Sequence, residues 1–154
     1  MLKKYFIYQK KIISINVIIF FVIIDRFLKF LAINNFFENP IKIVGDFFKL
    51  NFVGNYNIAF SLPFNGEWLN LVISLLIFAL LYNLLYFLKR KDFRKVFLLL
   101  SIVFGAISNF FDRIMYGYVI DYFDLKYFTV FNIADAMIVL GVFGLIFLGF
   151  KKNK

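Results

Sequence analysis

The chain has 154 residues, of which 63% are hydrophobic, a formal net charge of +9, and neither histidine nor cysteine. Soluble domains are usually about 45–50% apolar, so this composition argues against a soluble globular protein. The missing residue types exclude disulfides, thiol nucleophiles, Cys/His zinc sites and histidine-dependent triads. The length suits a single domain.

Four apolar runs are candidates for crossing a bilayer and predict transmembrane helices over residues 12–33, 68–88, 96–111 and 130–150. Three charged residues interrupt the first run, whereas the second carries none. The 21 residues of the second run would extend about 31 Å at 1.5 Å per residue. An apolar stretch of this length matches the hydrocarbon core of a membrane.

The basic residues are distributed by topology. Twelve of the 18 lie within residues 3–11, 89–95 and 151–154, all on one side of a four-span arrangement. The positive-inside rule predicts that this side and both termini are cytoplasmic, leaving outer loops at 34–67 and 112–129. This pattern argues against nucleic-acid binding. The basic start resembles a secretory signal, but no small-x-small cleavage pattern follows, so we expect a retained anchor.

The first outer loop contains an alternating segment. Phe48, Leu50 and Phe52 alternate with Lys49 and Asn51, the two-residue period of a half-buried strand. Turns are expected at the following glycines and prolines: Pro40, Gly45, Gly54, Pro63 and Gly66. The predicted fold is therefore an all-α membrane protein, with four transmembrane helices, a small periplasmic β element and both termini cytoplasmic.

Eight of the nine acidic residues fall on the outer loops or near the outer ends of the predicted spans. Asp25 and Lys29 in the first span are four residues apart, so they share a helix face and can pair. Such a pair serves either to accommodate charge in the membrane or to orient a site.

A second polar group lies at the outer end of the third predicted span. Asn109, Asp112 and Arg113 fall on one helix face, next to the small residues Gly105 and Ser108. Small residues permit close helix packing, so this face is either a helix contact or part of a site. Asp112 beside Arg113 is also consistent with a simple interfacial ion pair.

Two aspartates near the predicted outer surface lie in largely apolar stretches of the sequence. Asp135 opens the last apolar run, where Asn132 is a suitable N-cap and the acid a capping-box partner. Asp121 is flanked by apolar residues rather than turn formers. With no histidine or cysteine available, the pair suggests an aspartyl dyad, although capping alone also explains Asp135. Asn55, taken alone, is an ordinary turn residue.

Three segments in this order, NYNIAFS, GAISNFFDRIMYGYVIDYFD and FNIADAMI, resemble the motifs of lipoprotein signal peptidase, the type II signal peptidase of bacteria. The similarity extends over nearly the whole chain and includes the Asp25–Lys29 motif. Ser108 stands where glycine is common in that family, Asn57 where glycine is usual, and Arg26 where glutamine is frequent. The motifs are weak singly and specific together.

The resemblance implies a bacterial inner-membrane enzyme that cleaves prolipoproteins before a diacylglyceryl-modified cysteine. It implies no metal and no cofactor, and it implies prolipoproteins and membrane lipids as partners. Asp121 and Asp135 would be the catalytic pair. The polar residues that correspond to the supporting surround are Asn55, Asn109, Arg113 and Asn132, together with Asp25 and Lys29.

Two neighbouring carboxylates do not both ionise easily, so a catalytic pair would share one proton. The dipole of the last helix favours a charged Asp135, so Asp121 is expected to hold the shared proton more often. Two other functions remain open. One is a small transporter with Asp25 as its coupling acid, and the other is a membrane assembly subunit whose acids only cap helices.

Overall fold

The computed structural model describes residues 2–56 and 67–152. The predicted turns at Pro63 and Gly66, together with Asn57, lie outside the described residues. Four helices and three strands follow one another along the chain in this order: α1 (Leu2–Ile33), β1 (Ile41–Val44), β2 (Phe48–Asn55), α2 (Glu67–Lys89), α3 (Phe93–Tyr116), β3 (Val119–Leu125) and α4 (Ile133–Lys152).

Helix α3 is central and packs against the other three helices. Leu84 of α2 packs with Val96 and Leu99 of α3 in one buried apolar cluster. The approach of α3 to α4 requires glycine, because a Cβ added to Gly105 would lie 2.6 Å from the carbonyl oxygen of Ala134. The prediction that Gly105 permits close helix packing is confirmed.

Three described helical segments are long and apolar enough to cross a membrane: Trp68–Lys89, Phe93–Tyr116 and Ile133–Lys151. Helix α1 is not among them. Two of its charged side chains nevertheless point inward, since Asp25 and Lys29 are fully buried while Ile23 and Phe27 are about 60% exposed. A helix with polar groups inside and apolar groups outside is typical of a membrane bundle, where charges face the protein interior.

The strands form one antiparallel sheet in the order β1–β2–β3. The prediction of a strand at Phe48–Phe52 is confirmed by β2, but β1 and β3 were not predicted. The first four residues of β3 are all buried, so no alternation of polar and apolar residues reveals this strand. Gly54 lies within β2 rather than in the predicted turn, whereas Gly45 lies in a turn with φ of 50°.

Helix α3 continues beyond the predicted end at residue 111 and stops at Tyr116. Gly117 ends it in the left-handed conformation, with φ of 81° and its N–H bonded to the carbonyl of Arg113. Asp112 and Arg113 are therefore helical and do not belong to an outer loop. Helix α4 begins at Ile133, three residues later than the start predicted for the last run.

Candidate functional site

The N-terminus of α4 is capped as the sequence predicts. The backbone N–H of Asp135 donates to Asn132 Oδ1 over 2.8 Å, and the backbone N–H of Asn132 donates to Asp135 Oδ2 over 3.2 Å. These reciprocal bonds form a capping box. One carboxylate oxygen of Asp135 is thus committed to the helix start, while its other oxygen is available to the site.

The two remaining amide groups of the first turn of α4 find acceptors on other elements. Ile133 N–H donates to the Tyr122 hydroxyl over 3.1 Å, and Ala134 N–H donates to Asp25 Oδ1 over 3.3 Å. The first amides of a helix lack acceptors within the helix, and leaving them unbonded in an apolar setting is costly. Helix α1 and strand β3 therefore fix where α4 begins.

Asp121 extends from β3 and is almost fully buried, with 1% of its surface exposed. Asn55 Nδ2 donates to its Oδ2 over 2.9 Å, and Asn132 Nδ2 donates to its Oδ1 over 2.7 Å. In the antiparallel pairing of β2 with β3, Asp121 faces Val53, which places Asn55 on the diagonal of the same face. Sheet pairing therefore brings Asn55 to Asp121.

Burial, followed by the neighbouring carboxylate of Asp135, raises the pKa of Asp121 from 3.8 to about 7. Hydrogen bonds from Asn55 and Asn132 and the charge of Lys29 act in the opposite direction. An aspartate with a pKa near 7 is half protonated at neutral pH. This direction agrees with the expectation that Asp121 holds the shared proton.

Two asparagines link the pair of acids. Asn109 Nδ2 donates to Asp135 Oδ1 over 2.7 Å, and Asn132 Nδ2 donates to Asn109 Oδ1 over 3.1 Å as well as to Asp121. Asp121 of β3 and Asp135 of α4 thus belong to one hydrogen-bonded cluster with Asn109 of α3. The predicted members of the site that the structure brings together here include both acids and three asparagines.

Lys29 fixes the orientation of the Asn109 amide. Its Nζ, which can only donate, bonds to Asn109 Oδ1 over 2.8 Å. The amide oxygen of Asn109 must therefore face Lys29, and its NH2 group must face Asp135. A lysine on α1 consequently determines that Asp135 receives a donor rather than an acceptor.

A buried ion cluster lies beneath this site. Lys29 Nζ is 3.1 Å from Asp25 Oδ2 and 2.7 Å from Asp112 Oδ2, and Arg26 pairs with the other oxygen of Asp112. The predicted Asp25–Lys29 pair is confirmed. Asp112 is fully buried and forms ion pairs with two bases of α1, so its role is not limited to an interfacial pair with Arg113. Two acids and two bases make the cluster neutral, which limits the cost of burying each charge.

Arg113 lies about one helical turn after Asn109 on α3 and is half-buried. Its guanidinium interacts electrostatically with Asp135, Asp121 and Asp112. The predicted position of Arg113 beside the acids therefore agrees with the structure, and it brings a permanent positive charge to the pair.

A cavity of about 150 Å³ adjoins Asp121. It lies between β2 and the segment before α4, and its lining residues are Val53, Gly54, Asn55, Tyr56, Thr129 and Val130. One water molecule needs about 15 Å³ of such space, so this cavity has room for water beside the carboxylate. The cavity therefore provides space for a water molecule next to the buried side chain of Asp121.

Sequence reasoning missed three contributors to this network. The Tyr122 hydroxyl donates to Asp25 Oδ1 over 2.9 Å, the Ser108 hydroxyl donates to Asp25 Oδ2 over 2.6 Å, and Arg26 pairs with Asp112. Ser108 was noted as a small packing residue and as a departure from a family pattern, and Arg26 was noted only as such a departure. Tyr122 gave no signal, because a tyrosine in an apolar run is ordinarily a core residue. In the described part of the chain, no three acids are grouped as a metal site.

Comparison with known proteins shows that the chain is similar to the members of one family. A family model described as "Signal peptidase (SPase) II" matches residues 17–151. A lipoprotein signal peptidase of Clostridioides difficile is 36% identical over 146 residues, covering 91% of this chain and 97% of the relative. One from Buchnera aphidicola is 37% identical over 153 residues, covering 92% and 93%.

Two solved structures share the fold. Both are described as bacterial membrane enzyme structures obtained by the in meso method, at 2.3 Å and 1.9 Å resolution. The first has a TM-score of 0.78 at 23% identity and covers 92% of this chain and 89% of its own. The second has a TM-score of 0.71 at 24% identity, with 88% and 90% covered. The shared fold therefore covers about nine tenths of the chain.

Proposed function

The chain belongs to the signal peptidase II family, and from this membership we propose that it is an aspartyl endopeptidase of bacterial lipoprotein maturation. Its substrates are prolipoproteins that carry a diacylglyceryl-modified cysteine. It cleaves the peptide bond immediately before that cysteine and so releases the signal peptide. Family membership supports the processing of lipoprotein signal peptides, and the aspartyl chemistry rests on the geometry of the site.

The observation that carries the proposal is the joining of Asp121 and Asp135 in one cluster beside a cavity. The two acids come from different elements and are connected through Asn132 and Asn109. The chain contains no histidine or cysteine to act as nucleophile or base. A pair of carboxylates in unequal protonation states is then the arrangement that can activate water and protonate a leaving group.

The environments of the two acids favour different roles. Asp121 is buried, and its pKa is raised to about 7, so it suits the protonated role. Asp135 accepts a backbone N–H bond at the start of α4, where the helix dipole favours negative charge. We therefore assign Asp135 as the base and Asp121 as the acid.

Each proton has a defined donor and acceptor in this reaction. Asp135 takes a proton from water as the water oxygen bonds to the scissile carbonyl carbon. Protonated Asp121 donates a hydrogen bond to the tetrahedral intermediate and then transfers its proton to the leaving nitrogen as the C–N bond breaks. Asp135 is now protonated and Asp121 is ionised. Transfer of the proton from Asp135 to Asp121 restores the resting state.

The supporting residues stabilise this arrangement in separate ways. Asn55 and Asn132 hold the carboxyl group of Asp121, and Asn109 holds that of Asp135. Arg113 supplies positive charge to offset the negative charge that develops on the substrate oxygen. Asp25 fixes the start of α4 by accepting a hydrogen bond from its first turn, and Lys29 fixes the orientation of the Asn109 amide.

We further propose that α1 spans the membrane together with the three apolar helices, with both termini in the cytoplasm and the sheet at the outer face. The inward charges of α1 and its exposed apolar residues support this arrangement. The site would then lie at the outer boundary of the bacterial inner membrane. A diacylglyceryl group anchored in the outer leaflet would bring the scissile bond to this depth.

The arrangement of Asp25 favours the peptidase over a transporter. Its carboxylate is bonded to Lys29, Ser108, Tyr122 and the amide of Ala134. An acid that couples ion flux must be open to exchange its proton, whereas both carboxylate oxygens of Asp25 are engaged by donors of the protein itself. A role limited to capping would not require the second acid, Asp121.

The experiment is cleavage of a diacylglyceryl-modified prolipoprotein by the purified, reconstituted protein. Asp121→Asn and Asp135→Asn should each lower the rate by about 10²–10⁴-fold, the usual contribution of a general acid or base. Asp124→Asn is the matched control, because Asp124 lies on the same strand but bonds to Asn51 instead of the cluster. It should retain the parental rate.

Retention of the parental rate by either folded dyad variant would refute the catalytic assignment. Equal cleavage of a prolipoprotein without the diacylglyceryl group would contradict the proposed substrate. Uptake of protons by vesicles that contain the protein, without cleavage, would instead favour the transporter.

A further inference from the structure

The hydroxyl of Tyr122 lies at the junction of three elements. Tyr122 is fully buried in β3, its hydroxyl donates to Asp25 Oδ1 of α1 over 2.9 Å, and it accepts from the backbone N–H of Ile133 in α4 over 3.1 Å. A tyrosine hydroxyl can donate once and accept at the same time. Since an N–H group can only donate, the hydroxyl proton must point to Asp25, and both bonds have a defined direction.

No ordinary apolar side chain could replace this hydroxyl. Ile133 is the first residue of α4, and its N–H has no acceptor within the helix. A phenylalanine at residue 122 would keep the ring, which packs in the cluster with Ala32, Phe37 and Ile120, but would leave that N–H without its acceptor. The hydroxyl thus has a bonding role that is separable from the packing of the ring.

The hydrogen bond from the Ile133 N–H to the Tyr122 hydroxyl also joins the two segments that carry Asp121 and Asp135. Tyr122 directly follows Asp121, and Ile133 is two residues before Asp135. Successive side chains of a strand point to opposite faces, so β3 is tied to the start of α4 on both faces. One tie is Asp121 to the Asn132 amide, and the other is the Tyr122 hydroxyl to the Ile133 N–H.

We propose that Tyr122 is a positioning residue whose hydroxyl fixes the separation of the two dyad carboxylates. This inference rests on the proposed peptidase function and adds a residue to that site. Asp121 and Asp135 repel each other whenever both are charged, and the tie from β3 to α4 opposes that repulsion. The neutral, directional hydroxyl does so without adding a further charge beside the pair.

The test is Tyr122→Phe, with Tyr127→Phe as the matched control. Tyr127 follows β3 and is 81% exposed, so its hydroxyl lies outside the site. For Tyr122→Phe we expect kcat to fall about tenfold, the effect of one lost hydrogen bond, with KM within about twofold of the parent. Tyr127→Phe should match the parent in both constants.

The pH profile separates positioning from a general loss of folded enzyme. The charged groups that act on Asp121 are Asp135, Lys29 and Arg113. If the carboxylates move apart, the pKa of Asp121 falls, because less negative charge surrounds it, and the midpoint on the basic side moves to lower pH. A smaller amount of folded enzyme lowers the whole profile without moving its midpoint.

Hydrogen exchange of the Ile133 amide provides a measurement that does not depend on catalysis. Exchange should be faster in Tyr122→Phe than in the parent, and unchanged in Tyr127→Phe. Unchanged exchange, or a rate and pH midpoint equal to the parent's, would overturn the role of the hydroxyl. Failure of the proposed function is distinct, since the parent would then not cleave the lipidated substrate or Asp121→Asn would remain active.

Discussion

Replacing Lys29 with methionine tests the ion cluster beneath the site. Methionine keeps much of the length and volume of lysine but removes its charge and its three donors. The Nζ atom of Lys29 lies within 3.1 Å of Asp25, Asp112 and Asn109, and the side chain is fully buried. The substitution therefore removes one cation from between two buried carboxylates, while the side chain still fills the space.

The expected loss follows from the charges that remain. In the parent, the ion cluster is neutral because it contains two acids, Asp25 and Asp112, and two bases, Arg26 and Lys29. Lys29→Met leaves the cluster with one uncompensated negative charge. Removing one partner of a buried pair typically costs about 3–5 kcal/mol. For a chain of this size, about 1 kcal/mol lowers the melting temperature by about 2–4 °C, so a decrease of about 6–20 °C is expected.

The assay is thermal unfolding in detergent together with cleavage of the lipidated prolipoprotein. Lys42→Met is the matched control, because Lys42 pairs with Asp46 on the exposed side of the sheet. Exposed pairs contribute little, so the control should melt as the parent does. Lys29→Met should also cleave more slowly at temperatures where it is folded, because the Asn109 amide is then free to rotate away from Asp135.

A double mutant checks the reason for the loss. Adding Asp112→Asn to Lys29→Met restores neutrality, so the pair of substitutions should cost less than the sum of the two alone. Strict additivity, or a Lys29→Met variant with the parental melting temperature, would show that the buried charges do not compensate one another as described.

Two further results are expected. The pKa of Asp121 is raised from 3.8 to about 7, so the protonated side chain stabilises the fold fully below pH 3.8 and this stabilisation is lost as the pH rises through about 7. At about 1.4 kcal/mol per pH unit, the upper limit of the stabilisation is about 4 kcal/mol. The melting temperature should therefore fall over this window in the parent and fall less in Asp121→Asn, and equal slopes would contradict the burial effect. For topology, single cysteines introduced into this cysteine-free chain as Lys42→Cys and Lys91→Cys should react with an impermeant maleimide from the outer face only at residue 42; labelling of residue 91 alone would reverse the proposed orientation.

The local features of the site were predictable because they depend on short-range spacing. Asn132 and Asp135 are three residues apart, which is the spacing of a capping box, and their reciprocal bonds agree with it. Asp25 and Lys29 are four residues apart and form the expected pair. Helical geometry alone fixes such contacts, so they can be read without knowledge of the fold.

Contacts between distant segments were predictable only in part. Family resemblance selected Asp121 and its supporting residues, but it gave no reason for Asn55 to bond to Asp121. That bond depends on the antiparallel register of β2 with β3. β3 itself was read as part of a loop, since burial on both faces removes the period that identifies a strand.

The sequence by itself determined the membrane character, the helix-capping acid and the residues that form the family motifs, because composition, spacing and residue type are local properties. Only the tertiary structure decided which groups neutralise one another. Asp112 pairs with Arg26 and Lys29 of α1, and the Tyr122 hydroxyl completes the start of α4. These choices follow from packing helices and a sheet in an apolar setting, where every buried charge and amide must find a partner from whichever element lies closest.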